Sequence, residues 1–417
     1  NYEVYNEKDG LPSAIINTLY RDNEKNLWIG TGLGLAKWVA KNNVVFYNTE
    51  NNEFKNDVNF LCLSDNKTIV LNTDHGLQQF QFDKKEFKNI TTVPYVYTPI
   101  KGTFPLLIHY ADQIGKIEST TNNFIPIEKI NTPVTGVLHS YKHPGGTIFL
   151  TSLYGLYAIE EKSVKKIFPY RVTCLLIDKD ANTWVGTWSH GLYRIPAKKN
   201  ISDTFYVQNV TSAIGTSQIR GIYQDSKKNI WVGTRYAGAF CLTEKPDGGF
   251  DSQHFDRHSG LMSDWVSSFA ETDTGDIWVG SYLGLDKLVK ESSGYRVFNF
   301  SKAVNFFAEV REIFSMGNKD WVCIANKGIA YFKDEDIHQM PPWNVTILSA
   351  SLGVLENKLT ILSPTKNVSL KPTQNSARFE FSALGFINER QILYSYRLKG
   401  SSDTTWSKPA NIHEASY

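Results

Sequence analysis

Asp178-Lys-Asp-Ala-Asn-Thr-Trp184-Val-Gly-Thr-Trp-Ser-His-Gly191-Leu decides the fold, because its skeleton returns along the chain. The same order stands in Asp22-Asn-Glu-Lys-Asn-Leu-Trp28-Ile-Gly-Thr-Gly-Leu-Gly34-Leu, in Asp225-Ser-Lys-Lys-Asn-Ile-Trp231-Val-Gly-Thr and in Asp273-Thr-Gly-Asp-Ile-Trp278-Val-Gly-Ser-Tyr-Leu-Gly284-Leu. Weaker copies keep the register around Gly76, Gly155 and Gly328, and in the most degenerate one Gln113 takes the glycine place. The marks fall at 34, 76, 113, 155, 191, 238, 284 and 328, which is 294 residues over seven steps, or 42 per step. That period belongs to four-stranded propeller blades.

Each repeat reads as four strands. Around Trp278 these are Val266-Ser-Ser-Phe-Ala-Glu, Ile277-Trp-Val-Gly, Leu285-Asp-Lys-Leu-Val and Tyr295-Arg-Val-Phe-Asn-Phe. The Asp-led turns suit hairpins, since Asp and Asn bond their own backbone and tolerate unusual dihedrals. Gly30, Gly186, Gly233 and Gly280 stand two residues after the tryptophan, where a missing side chain lets neighbouring backbones approach. Trp28, Trp184, Trp231, Trp278 and Trp321 share one register, which predicts packing between blade faces rather than a ligand role.

A propeller must join its last blade to its first. The eighth unit ends at Tyr331-Phe332 without an outer strand, and Tyr2-Glu-Val-Tyr5-Asn has the pattern to supply one. The expectation is an all-β chain: an eight-bladed propeller over 1–338 closed by its amino-terminal strand. The alternative is seven blades, with one unit belonging to a neighbouring propeller upstream. After Met340-Pro-Pro-Trp343 the repeat stops, and new strand patterns at Val345, Asn367, Ser376 and Leu393 predict a small antiparallel β-sandwich over 343–417, incomplete at its carboxyl end.

With 44 basic and 42 acidic residues the net charge is +2, so no global field draws the chain to nucleic acid or an anionic membrane. No apolar run approaches the ~18 residues of a membrane span. Cys62, Cys174, Cys241 and Cys323 sit far apart in apolar strand runs, which predicts unpaired, buried thiols.

The Asp-Gly-Leu-Pro-Ser lead at 9–13, the Leu-Trp-Ile-Gly-Thr core and its repetition resemble the regulator-propeller repeats of bacterial two-component sensors. The tail from Ala377, with Phe379, Phe381, Tyr394, Tyr396, Arg397, Leu398, Gly400 and Trp406, resembles the tyrosine-motif (Y_Y_Y) sandwich that follows such propellers. The resemblance implies the periplasmic, ligand-sensing part of a sensor histidine kinase, homodimeric as the full receptor and joined to the membrane and kinase by segments beyond this sequence. It also implies oligosaccharide sensing.

No Gly-x-Ser-x-Gly elbow, His-Glu-x-x-His helix or phosphate-binding loop occurs, so no catalytic residue, cofactor or metal ligand is assigned. Asp178-Lys-Asp180-Ala-Asn182 begins like a calcium loop but has Thr183 where glycine is needed and Ser189 where glutamate is needed, which favours a hairpin turn. What remains is the ring of loops around the channel. Those joining second to third strands carry Asp74, His75, Tyr110, Asp112, Tyr154, Trp188, His190, Arg235, Tyr236, Tyr282 and Lys327. Those leading into first strands carry Gln218, Arg220, Asp264 and Trp265. Aromatic faces stack on sugar rings, and Arg, His and Asp bond hydroxyls or carboxylates. The basic tilt of this rim points to an acidic oligosaccharide. The competing readings are a propeller-fold lyase or glycosidase, which needs converging carboxylates or a Tyr/His pair with a metal, and a protein-binding scaffold.

Overall fold

A computed structural model describes residues 4–417 except 8–9, 23–25, 39–43, 49–59, 66–67, 74–75, 82–85, 90–97, 102–106, 111, 118–123, 131–133, 198–204, 293, 302–305, 318, 326–327, 335–344, 353–358, 361–375, 384–393, 401–404 and 408–409. Two compact units emerge: 43–336, and 1–42 together with 337–417.

The unit 43–336 is a β-propeller. Among the described residues its strands form seven groups of four: 60–89, 98–129, 137–168, 172–209, 219–255, 266–298, and 310–333 completed by Val45–Asn48. Within each group neighbouring strands are antiparallel. The second and third groups share one eight-stranded sheet, because their first strands also pair in parallel, Ser140 with Ile100 and Tyr141 with Lys101.

The repeat residues explain each blade. In the fourth blade one oxygen of the Asp178 carboxylate accepts Trp184 Nε1 at 2.9 Å, and the other accepts the backbone N–H of Asn182 at 2.8 Å. The fifth blade repeats this with Asp225, Trp231 and Asn229 at 3.0 and 2.8 Å. Thus the hairpin reading of the Asp-led turn holds: its carboxylate ties the turn to the tryptophan on the strand beyond. Trp184 packs with Ile219, Ile230 and Val232 of the next blade, and Trp231 with Phe269, Ile277 and Leu288 of the one after. A Cβ on Gly233 would stand 2.5 Å from the Val266 carbonyl oxygen of the adjoining blade, so that glycine is a condition of the close approach.

The closing strand differs from the expectation. Val45 pairs with Tyr331 and Asn48 with Gly328, so Val45–Asn48 is the outer strand of the last blade. Ile69, Leu71 and Phe80 of the first blade pack with Val322, Ile324 and Ile329 of the last, which joins the ends of the ring. The position assigned to residues 2–6 is therefore filled; Tyr2 lies outside the described residues, and Val4, Tyr5 and Asn6 are in no strand. An outer strand needs only a short run that can pair along the exposed edge of the third strand, and both stretches meet that demand.

The first repeat, Ile16–Arg21, Leu27–Thr31 and Gly34–Trp38, forms a three-stranded sheet in the other unit. That unit also holds a four-stranded sheet in the order Leu359–Thr360, Val345–Leu352, Ala377–Ala383, Glu414–Ser416. Phe381 and Tyr394 are buried together, and the Tyr394 hydroxyl accepts the Ala383 N–H at 2.9 Å. The strand expected at Asn367 lies outside the described residues. Cys174, Cys241 and Cys323 are free thiols, and burial pushes Cys174 and Cys241 up to about 12.

Candidate functional site

In the fourth, fifth and sixth blades one backbone bond brings the two loop sets together. The residue after the second strand donates its N–H to the carbonyl just before the first: Trp188 to Arg171, Arg235 to Gln218 and Tyr282 to Trp265, each at 3.0 Å. The repeat's Thr or Ser then caps the loop. The Thr187 hydroxyl donates to the Gly191 carbonyl at 2.8 Å and accepts the His190 N–H at 2.9 Å, and Thr234 does the same with Gly238 and Ala237 at 2.9 Å each.

Three successive blades thereby place their loop side chains in one cluster. The Arg171 and Arg220 guanidiniums stand 4.1 and 4.2 Å from the centre of the Trp188 ring, and Arg235 stands 5.3 Å away. Arg235 also lies 4.8 Å from Trp265 and 5.2 Å from Tyr236. Trp265 stacks on Tyr282 at 5.0 Å, and His190 stacks on Tyr170 at 3.6 Å with the rings 9° from parallel. Tyr236 and Tyr282 are 65% and 48% exposed, which leaves them the rings open to an incoming ligand.

Six of the expected residues thus belong to the cluster, Trp188, Arg220, Arg235, Tyr236, Trp265 and Tyr282, while His190, on the same loop as Trp188, stacks on Tyr170. The Trp188 ring is flanked by the Arg171 and Arg220 guanidiniums. Tyr154 is exposed beyond the strand Ile148–Ser152, and Tyr110 ends the strand Leu107–Tyr110 in the second blade. Asp74, His75 and Lys327 lie outside the described residues. Of the residues named beside them, Asp112 pairs with Lys129 at 3.3 Å and Asp264 accepts the Arg257 N–H at 2.9 Å, so each serves its own loop.

Arg171 and Tyr170 were not foreseen. Aligning the buried first-strand residues Val172, Ile219, Val266 and Val310 would have exposed them, because the preceding position then reads Arg171, Gln218, Trp265 and Glu309.

Beneath the cluster the first strands enclose a cavity of about 550 Å³ that runs from Arg220 and Trp265 towards Glu271 and Ser315. Lys101 and Glu312 pair across it at 2.7 Å although 211 residues separate them. Burial, helped by the Lys101 charge, lowers His139 to about 3, so this imidazole is neutral at physiological pH. Burial pushes Tyr141 up to about 12. Arg311 pairs with Glu309 at 3.4 Å on the same wall.

The model of the two-component regulator propeller matches the chain at 10–32 and 213–236. The chain is similar in fold to the extracellular domain of a hybrid two-component system from B. thetaiotaomicron, with 16% identity, a TM-score of 0.54, and coverage of 100% of this chain and 60% of that one. It is also similar in fold to a virginiamycin B lyase from Staphylococcus aureus, with 12% identity, a TM-score of 0.51, and coverage of 70% of this chain and 98% of that one. The chain therefore spans about three fifths of the sensor domain's length. Among curated proteins none matches it.

Proposed function

We propose that this chain is the ligand-sensing part of a periplasmic sensor, binds an oligosaccharide at the mouth of the propeller channel, and passes the signal to a histidine kinase in a homodimeric receptor. The observation that supports the reading most is the convergence of Trp188, Arg220, Arg235, Tyr236, Trp265 and Tyr282 from three blades. Exposed tyrosines beside guanidiniums suit a saccharide, whose ring faces are apolar and whose edges accept hydrogen bonds. No helix among the described residues is long and apolar enough to cross a membrane.

Calorimetric titration with a panel of neutral and acidic oligosaccharides tests this. Trp188→Ala and Arg235→Ala should each weaken binding at least about tenfold, as a residue contributing more than about 1.4 kcal/mol would. Their melting should stay cooperative, because loop residues contribute little to the blade core. A saccharide that binds both variants as tightly as the parent would place the ligand elsewhere.

A further inference from the structure

We infer that Arg171, Arg220 and Arg235 form an anion subsite that receives an oxyanion substituent, carboxylate or sulfate, carried by the ligand. The inference rests on the saccharide reading and narrows it to acidic saccharides.

Three observations carry it. First, the three guanidiniums crowd around one ring, Trp188, yet none forms an ion pair with a carboxylate among the described residues. Four arginines elsewhere are matched: Arg194 with Glu244 at 2.7 Å, Arg296 with Glu291 at 2.7 Å, Arg311 with Glu309 at 3.4 Å, and Arg378 with Glu414. Of the carboxylates lining the cavity, Glu309 pairs with Arg311, Glu312 pairs with Lys101 through Oε1, and Glu271 accepts the Ser226 N–H and hydroxyl. Like charges held together in a partly buried site repel, and an anion relieves the repulsion.

Second, the donors are free. Arg171 Nε, Arg220 Nη2 and Arg235 Nε are buried without an acceptor, while Arg220 Nη1 is engaged by the Ile219 carbonyl at 2.8 Å. A guanidinium packed on an aromatic ring uses its face and keeps its N–H edge for a planar or tetrahedral oxyanion. Burial and the neighbouring Arg235 and Arg171 charges also lower the Arg220 pKa, which agrees with cations kept together without a counter-charge.

Third, the surroundings fit a sugar acid rather than a bare ion. Tyr236, beside Arg235, and Tyr282, stacked on Trp265, are exposed rings within the same cluster, where a pyranose carrying the anion would lie.

The test uses the full chain in two steps. Thermal melts compare malonate with sodium chloride at equal ionic strength, in the parent, in Arg235→Gln and in Arg171→Gln. Malonate should raise the parent midpoint by a few degrees beyond chloride, because it binds the folded state, and the increment should shrink in both variants. Titrations then compare tetragalacturonate, its carboxyl-reduced counterpart and a sulfated heparin tetrasaccharide. At least one of the two acidic saccharides should bind about tenfold or more tightly than the neutral one, and which of them does so separates carboxylate from sulfate.

Equal melting in malonate and chloride, or an increment that survives in both variants, overturns the subsite. Tight binding of the neutral tetrasaccharide with no gain from the acids also overturns it and leaves the saccharide reading standing. A malonate effect with no saccharide binding leaves the subsite standing and removes the saccharide reading.

Discussion

Trp231→Ala should cost about 3–5 kcal/mol of stability, the range for emptying a large aromatic site in a packed core. Trp231 is fully buried between the fifth and sixth blades, with Phe255, Phe269 and Tyr295 within 5.4–5.9 Å of its ring centre. Its truncation therefore opens a cavity that two sheets would have to shift to fill. The gentler Trp231→Phe separates packing from the hydrogen bond, because Asp225 then loses the Nε1 donor at 3.0 Å. That loss should cost about 1.5–3 kcal/mol, the value of a hydrogen bond to a charged group. Trp278 supplies the control: Thr272 stands where the aspartate would be, and the Trp278 Nε1 has no acceptor. Trp278→Phe should hence cost less than Trp231→Phe in urea unfolding, and the reverse order would refute the role given to the Asp-led turn.

Lys287→Met should be comparably damaging and should reveal itself by pH. Lys287 is buried with its ammonium 3.1 Å from Asp276 and 2.7 Å from Asp334, all three side chains at most 11% exposed. Removing the cation strands two carboxylates in the last two blades, at about 3–5 kcal/mol for a broken buried pair. For Asp276, burial works against the charged form, but the Lys290 N–H and the Lys287 charge prevail and hold its carboxyl below the ordinary range. A lowered folded pKa contributes stability above the unfolded value and loses it as the pH falls through the folded one. The parent should accordingly lose stability as the pH drops below about 4. In Lys287→Met the stranded carboxylates favour protonation, so its deficit relative to the parent should narrow from pH 7 towards acid. Denaturant titrations at several pH values measure this, and a deficit that stays constant or widens in acid would contradict it.

The propeller was legible because its repeat residues answer strict demands. Trp184 and Trp231 must fill inter-blade space, Gly233 must admit the next backbone, and Asp178 and Asp225 must hold their turns. Such positions tolerate few residue types, so they recur. The closing strand was not legible, since pairing along an open edge sets few conditions on side chains, and Val45–Asn48 took the place expected for residues 2–6.

For the site, loop position in the repeat was enough to gather Trp188, Arg235 and Tyr282, because one backbone bond in each of these three blades fixes those loops. It was not enough to tell what surrounds Trp188. A tryptophan at a loop tip and a tryptophan flanked by guanidiniums look alike until Arg171 and Arg220 are seen 4.1 and 4.2 Å from its ring.

The central claim, that the ligand sits at the channel mouth of the propeller, is tested most directly by hydrogen–deuterium exchange with and without tetragalacturonate at saturating concentration. Protection should concentrate in backbone amides at 170–171, 188–190, 218–220, 235–236, 265 and 282. Protection confined to the sheet at 377–416, or spread over the outer blade strands with none at these loops, would contradict the account.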